Sequence, residues 1–150
     1  VRLSKAFASF DPEPLAAASL GQVHRATLRD GRPVVVKVQR PGIRPVILED
    51  LEAIGEVAEL LDAHTEAGRR FALADLLAQF RRSLLGELDY RREAQNLTTL
   101  HQNLARHERI VVPLPVDDYT SSRVLTMAHV SGTKVTAIGP LARMEIDGAA

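Results

Sequence analysis

The sequence predicts an α+β fold in which an antiparallel sheet of about five short strands is combined with two long helices. Two β-prone runs, residues 23–28 and 33–39, are separated by Asp30-Gly31, a dipeptide typical of a tight β-hairpin. Two later stretches, residues 46–64 and 73–105, repeat apolar residues at the three- and four-residue spacing of amphipathic helices. These signals together indicate strands first, helices next, and a return to the sheet at the end.

The composition is that of one domain or one lobe with an aliphatic core. The chain has 150 residues, of which 45% are hydrophobic and only 4% aromatic, so Leu, Val, Ala and Ile must fill the core. Nineteen basic and nineteen acidic residues cancel, which argues against nucleic acid as the main partner. The absence of cysteine excludes disulfides and cysteine metal sites. No apolar run approaches the ~18 residues of a transmembrane helix.

The first part of the chain is predicted to hold one helix and three strands. Proline favours extended backbone in the residue before it, so the helix should end before Asp11-Pro12. In the last of these strands, alternation puts Val35, Lys37 and Gln39 on one face. The predicted elements are a helix at residues 2–10, a strand at 15–18, a loop at 19–21, and strands at 23–28 and 33–39.

The rest of the chain is predicted to be mainly helical, with two further strands. Gly86 lies inside the second long helix, where it costs about 1 kcal/mol relative to alanine and indicates a kink or close packing. The predicted elements are a helix at residues 46–64, a loop at 66–70, a helix at 73–105, strands at 110–116 and 123–130, and a short helix at 140–146.

Lys37 is the one charged residue in a valine-rich strand, and it needs either water or a carboxylate partner. Asp89 and Glu93 stand four residues apart on a predicted helix, where like charges repel unless a cation lies between them. Two interpretations follow from the residues alone. Lys37 is paired with one of these carboxylates, or it is a solvated surface lysine and the acids form a solvated patch.

A run of small residues, 16–22, precedes the strand that carries Lys37. Taken alone, this run fits an ordinary turn between strands. A kinase-type small lobe, however, holds ATP phosphates with three features: a flexible small-residue loop, a strand lysine and a helix carboxylate. The order and spacing of the three features favour the kinase-type interpretation.

The sequence resembles the UbiB/AarF-type atypical kinase family, kinase-like proteins linked to coenzyme Q biosynthesis. The resemblance extends from about residue 7 to about residue 135. Its most specific parts are the alanine-rich loop and the run E-L-D-Y-x-x-E-A-x-N at residues 87–96. The matching runs are residues 16–26, 36–42, 87–96, 124–127 and 130–132.

The resemblance implies a nucleotide site, with no residue assigned as a metal ligand. It implies that Lys37 holds the phosphates and pairs with Glu93, and that Met127 is the gatekeeper residue before the hinge. Glu87 and Asp89 match the E-x-D motif of the family, which implies a role near the nucleotide and its metal or in docking the family's N-terminal extension. The nucleotide-binding residues implied are Ala16, Ala17, Ala18, Ser19, Gly21, Gln22, Val35, Lys37, Glu93, Met127, Ala128 and Val130.

The sequence departs from the family at several positions. Val35 stands where alanine is usual over the adenine, and its two extra methyl groups narrow that pocket. Ala128 replaces an acidic residue, which is milder because a hinge acts through its backbone. The K-x-G-Q motif, the catalytic-loop aspartate and D-F-G do not occur in the chain.

We therefore expect a kinase-like small lobe at residues 1–135, and a linker or the start of a large lobe at 136–150. The parent is expected to bind ATP and magnesium, as a kinase or ATPase of quinone biosynthesis, whereas the chain alone is expected to be an inactive fragment. It should then expose apolar surface. The resemblance implies a cytoplasmic, membrane-associated parent whose partners are the large lobe, membrane lipid or quinone-biosynthesis proteins. The alternative is a non-catalytic module that binds a protein or a lipid.

Overall fold

The computed structural model describes residues 3–132, which form an antiparallel sheet with helices connecting its strands. The tail predicted to hold a linker and a short helix lies outside the described residues. In chain order the elements are α1 (Leu3–Ala6), β1 (Phe7–Phe10), β2 (Ala16–Ala17), β3 (Gly21–Leu28), β4 (Pro33–Gln39), α2 (Ile43–His64), α3 (Glu66–Phe71), α4 (Leu73–Glu87), α5 (Tyr90–Asn103) and β5 (Val124–Ala128). A single 3₁₀ turn, Asp117–Tyr119, precedes β5.

The sheet has five strands in the order β1-β3-β4-β5, and β2 pairs with β3 beside β1. All of the pairings are antiparallel, so the predicted α+β class and strand number are confirmed. The predicted hairpin at Asp30-Gly31 is also present. Gly31 has φ 88°, and the Asp30 carboxylate accepts a hydrogen bond from the Arg32 amide at 3.0 Å.

The two faces of the sheet bury different sets of side chains. Residues paired directly across antiparallel strands lie on the same face. One face carries the main apolar cluster, in which Phe7 packs with residues of β3 and β4: Ala26, Leu28, Val34 and Val36. On the other face Leu125 packs against Tyr90 and Ala94 of α5. Since Leu125 pairs with Lys37, α5 covers the face that carries the lysine.

Two predictions for the sheet are wrong. Residues 7–10 are a strand and not part of a helix. Pairing of Phe7 with Leu28 buries the Phe7 ring in the main apolar cluster of the sheet. Residues 110–116 form no strand, and Pro115 makes only an isolated bridge to Met127. Two prolines in this run, Pro113 and Pro115, lack the amide donors that a ladder needs.

The helices also differ from the prediction. Helix α2 begins at Ile43 because Pro45 falls in its first turn, where no amide hydrogen bond is required. The predicted loop at 66–70 is helix α3, capped by Thr65 Oγ1, which accepts from the Gly68 amide at 2.9 Å. The predicted helix at 73–105 is two helices, separated at Leu88 and Asp89.

Helices α2 and α4 leave an exposed apolar trough between them. Leu76 and Phe80 on α4 are 61% and 55% exposed, and Ile54 on α2 is 53% exposed. The trough has a volume of about 500 Å³ and a lining of aliphatic and aromatic side chains. Within residues 3–132, no helix has the length and apolar character needed to cross a membrane.

The packing predicts that Leu125→Ala destabilises the fold strongly. Leu125 is fully buried where β5 packs against α5, so its truncation should lower the free energy of unfolding by about 2–5 kcal/mol. Leu60→Ala, the same change at a residue that is 60% exposed, should cost within about 0.5 kcal/mol. Urea unfolding followed by circular dichroism measures both. Equal losses in the two variants would contradict the assignment of Leu125 to the core.

Candidate functional site

Lys37 and Glu93 form a two-pronged ion pair between the sheet and α5. Lys37 Nζ lies 2.8 Å from Oε1 and 2.7 Å from Oε2 of Glu93. The two residues are 56 positions apart in the chain, so the contact is a product of the fold. The predicted ion pair is confirmed, and the lysine on the valine-rich strand has the carboxylate partner that its position requires.

The interruption of the helix at Leu88 and Asp89, before α5, brings Glu93 to the sheet. Asp89 has extended backbone and is the N-cap of α5, where its carboxylate accepts a hydrogen bond from the Arg91 amide at 3.1 Å. Asp89 therefore does not share a helical face with Glu93, contrary to the prediction. Within α5, Tyr90, Glu93 and Ala94 share one face by the three- and four-residue spacing, and this face lies on the sheet.

The aromatic ring of Tyr90 packs against the Lys37 ammonium of the ion pair. Its side chain is buried, and Lys37 Nζ lies 4.7 Å from the centroid of its ring, within range of a cation–π interaction. Burial, and to a lesser extent the negative charge of Glu93, raises the pKa of the Tyr90 phenol. The hydroxyl is also close to Gly21, since a Cβ on that glycine would lie 3.0 Å from Tyr90 Oη and 2.5 Å from the Val38 carbonyl oxygen.

Gln39 contacts the start of α5 from the same strand as Lys37. It is 7% exposed, and its side-chain Nε2 donates a hydrogen bond of 3.0 Å to the carbonyl oxygen of Leu88. Sequence reasoning assigned no role to Gln39 or to Tyr90. The available signal was the alternation of β4, which puts an amide side chain on the lysine face two residues further along.

The small-residue loop forms the tip of a hairpin that projects beyond the ion pair. Ala18 and Gly21 exchange backbone hydrogen bonds of 2.8 and 3.3 Å around Ser19 and Leu20. Ala16 pairs with Val23, which pairs with Lys37, so Ala16 is on the lysine face. In the described part of the chain, the amides of Ser19 and Leu20 have no hydrogen-bond partner, and they remain open to an anionic ligand.

Beyond Lys37 toward the start of β4, the same face of the sheet is apolar. The chain segment that follows, residues 128–130, uses only some of its backbone amides in hydrogen bonds. Val35 is 8% exposed and pairs directly with Met127. After Met127, the Ala128 amide donates to the Leu114 carbonyl at 2.9 Å and the His129 amide to the Pro33 carbonyl at 3.2 Å. Val130 is exposed, and in the described residues its amide makes no such bond.

Several of the predicted site residues lie away from the lysine. Ala17 pairs with Gln22 and Ala128 with Val34, so both side chains are on the opposite face of the sheet. Gln22 pairs with Val38, which puts both on the opposite face of the sheet. Glu87 is the exposed last residue of α4 and borders a cleft of about 220 Å³ that Glu93 also lines. Asp89 is engaged as the cap of α5. Across residues 3–132, no three His, Asp or Glu side chains converge on a position that could hold a metal ion.

The arrangement is suited to binding a compact, strongly charged anion beside a flat apolar group. Lys37 is about one-third exposed, so a ligand can reach its ammonium while Glu93 keeps it oriented. The open amides of the loop tip add donors on one side, and Val35 with Met127 adds an apolar surface on the other. A phosphate ester of a planar base combines these two properties.

Comparisons with known proteins give a consistent result. Residues 1–149 match the family described as "ABC1 atypical kinase-like domain". The chain is 39% identical over 145 residues to "Probable protein kinase UbiB" of Cellvibrio japonicus, which covers 97% of this chain and 26% of that protein. It is 40% identical over 148 residues to "Uncharacterized protein Rv0647c" of Mycobacterium tuberculosis, covering 97% of this chain and 30% of the relative.

A solved structure is similar in fold as well as in sequence. It is titled "The complex structure of Rv3197-erythromycin from Mycobacterium tuberculosis", and it superimposes with a TM-score of 0.73 at 31% identity. The match covers 88% of this chain and 32% of that one. The present chain thus spans between a quarter and a third of the length of these relatives.

The environment of Tyr90 predicts a loss of stability in alkaline solution that Tyr90→Phe reduces. Since the folded chain holds the phenol proton more tightly than the unfolded chain, stability should fall as pH rises above about 10. Phenylalanine keeps the buried ring over Lys37 and removes the ionisable group. The change in urea midpoint between pH 9 and pH 11 should therefore be smaller in Tyr90→Phe than in the unmodified chain.

Tyr119→Phe, at the only other tyrosine of the chain, is the matched control for this measurement. It changes a tyrosine that packs with Phe7 in the cluster on the other face of the sheet, and it should keep the alkaline loss of the unmodified chain. The explanation fails if both variants lose the same stability between the two pH values.

Proposed function

The chain belongs to the ABC1 atypical kinase-like domain family, and on that premise we propose that residues 3–132 are the small-lobe half of an ATP-binding site. The observation that carries the proposal is the ion pair of Lys37 with Glu93, at 2.7 and 2.8 Å. In kinase-type sites, a strand lysine held by a helix glutamate contacts the nucleotide phosphates. The proposed role of Lys37 is therefore to bind phosphate oxygens, and that of Glu93 is to orient Lys37.

In this proposal, the loop formed by Ala16, Ala17, Ala18, Ser19 and Gly21 covers the phosphates. Support comes from the two open amides at its tip, which are donors of the kind that phosphate oxygens accept. Alanine restricts the backbone more than glycine does, so this loop should close over phosphates less readily than a glycine-rich loop. Gln22 belongs to the other face of the sheet and takes part only through its backbone.

The adenine is proposed to lie against Val35 and Met127 and to meet the backbone beyond them. The Ala128 and His129 amides already donate within the protein, so the proposed groups are the Ala128 carbonyl and the Val130 amide. Val35 is bulkier than the alanine usual in the family at this position. It should weaken adenine binding by narrowing the pocket.

Magnesium does not fit the described residues. Both carboxylate oxygens of Glu93 contact Lys37, Asp89 caps α5, and no group of metal ligands converges. We propose that the magnesium ligands and the catalytic groups come from other parts of a longer protein, the large lobe of a kinase-like fold. Glu87, exposed at the end of α4, is free to meet such a partner.

For the whole protein, the proposed activity is that of an atypical kinase or ATPase that supports ubiquinone biosynthesis. The relatives named "Probable protein kinase UbiB" support this assignment, and this chain aligns with about a quarter of their length. The proposed setting is the cytoplasmic side of a membrane, with lipid or other quinone-biosynthesis proteins as partners. The described residues themselves contain no membrane-spanning helix.

A second candidate function is a non-catalytic kinase-like module that binds a protein or a lipid. The observation that favours it is Val35, which is almost fully buried against Met127 and leaves less room for adenine than alanine would. ATP binding is the property that separates the two candidates. A module that no longer binds nucleotide should show no chemical-shift change with ATP, either in the unmodified chain or when Lys37 is replaced.

Weak ATP binding that depends on Lys37 is the expected result of a chemical-shift titration. With no second set of magnesium ligands, the dissociation constant should be about 100 µM or weaker, which is about −5.5 kcal/mol. Lys37→Met removes a charge-assisted contact to phosphate and should weaken binding about tenfold. Val35→Ala should strengthen it modestly by widening the adenine pocket. None of these proteins should hydrolyse ATP.

Lys5→Met is the matched control, since Lys5 is an exposed lysine on α1 and should leave ATP affinity unchanged. Equal affinity of Lys37→Met and the unmodified chain would exclude Lys37 as the phosphate ligand. ATP hydrolysis that disappears in Lys37→Met would contradict the proposed dependence on other parts of the protein. No shift at millimolar ATP would favour the non-catalytic module.

A further inference from the structure

The ion pair is too accessible to solvent to hold α5 in place by itself. The side chains of Lys37 and Glu93 are 31% and 37% exposed. Water and salt screen pairs of this kind, so their contribution to holding two elements together is small. Something else must fix the first turns of α5 against the sheet before Glu93 can reach Lys37.

Gln39 is the buried polar group that connects the sheet to this part of the chain. It is 7% exposed, and its Nε2 donates to the Leu88 carbonyl, at the break between α4 and α5. The Leu88 side chain is itself 1% exposed, so the hydrogen bond lies in a dry environment that favours a fixed geometry. No part of the proposed nucleotide chemistry requires Gln39, and the ion pair does not involve it.

Two contacts connect β4 to the start of α5. Lys37 and Gln39 are two residues apart on one strand face, which is about 6.7 Å. Their partners are also separate: Leu88 lies before α5, and Glu93 lies in its first turn. Two contacts at separate points set both the position and the direction of the helix, whereas the ion pair alone would leave it free to rotate about one point.

We propose that Gln39 is a positioning residue, and that its hydrogen bond to the Leu88 carbonyl latches the start of α5 onto the sheet and keeps Glu93 against Lys37. Neighbouring contacts extend the latch. The Tyr90 amide donates to the Ser122 carbonyl at 3.2 Å, and the Tyr90 hydroxyl lies against Gly21 at the exit of the small-residue loop. A displacement at residues 88–90 therefore reaches both the ion pair and the loop. The consequence for nucleotide binding rests on the proposed function, but the position of α5 does not.

Distances between spin labels test the latch directly. The chain has no cysteine, so Ser9→Cys on β1 and His101→Cys near the end of α5, both exposed, accept labels without competing sites. His101 is eleven residues beyond Tyr90, a lever of about 16 Å, so a tilt of about 10° moves its label by about 3 Å. Double electron–electron resonance resolves such a change.

Gln39→Met keeps the size of the side chain and removes the donor, so it should shift or broaden the label distance by about 3 Å while the far-ultraviolet circular dichroism stays native. Gln95→Met, at an exposed glutamine of α5, should leave the distance unchanged. Lys37→Met should also leave it unchanged, because in this proposal the ion pair follows the position of the helix. This last variant keeps the test decisive if Gln39→Met does not fold.

The proposal is overturned if folded Gln39→Met keeps the distance of the unmodified chain, or if Lys37→Met shifts it as far as Gln39→Met does. A titration of Gln39→Met with ATP connects the latch to the proposed function. The apparent dissociation constant should rise as the inverse of the fraction of molecules in which α5 stays in place, about threefold if two thirds are displaced. Failure of the unmodified chain to bind ATP would refute the proposed function and leave the distance test of the latch intact.

Discussion

The candidate site depends on one interaction, the pairing of a lysine in the middle of a valine-rich strand with a carboxylate on α5. Four valines flank Lys37 in its strand, and Leu125 and Tyr90 close the face of the sheet that carries it. An ammonium in such a place is costly unless a carboxylate reaches it. The break at Leu88 and Asp89, the cap on α5 and the spacing of Tyr90 and Glu93 all serve to bring one carboxylate to that point.

The same constraint explains how the site is divided between rigid and open parts. The lysine, the glutamate and Tyr90 lie between a sheet strand and a helix, where packing defines their geometry. The small-residue loop, by contrast, is exposed from Ala16 to Ser19, and its tip is held by the backbone hydrogen bonds between Ala18 and Gly21 and from the Arg40 amide to the Leu20 carbonyl. A site built in this way can orient a charged group precisely enough for phosphate while its cover adjusts to the ligand.

The parts of the fold that the sequence predicted are those with local signals. Proline, a hairpin glycine and alternating valines mark strand β4 to the residue, whereas the pairing of Lys37 with Glu93 is what the resemblance to the kinase-like family implies. The strand at 7–10 and the separation of α4 from α5 depend on contacts distant in sequence. Phe7 is fixed by Leu28, and Leu88 by Gln39, and neither partner can be identified from periodicity.

The helices α2, α3 and α4 make one long excursion between the strand that carries Lys37 and the helix that carries Glu93. The entropy of closing a flexible loop grows only with the logarithm of its length, about 0.6 kcal/mol for each doubling. Most of the 56-residue separation consists of helices that pack mainly on one another, and at Leu88 the chain meets the sheet again through the hydrogen bond from Gln39. The excursion can therefore lengthen, shorten or change its outer surface during evolution at little cost to the pairing of lysine and glutamate. Partner recognition can diversify there while the charged centre stays the same.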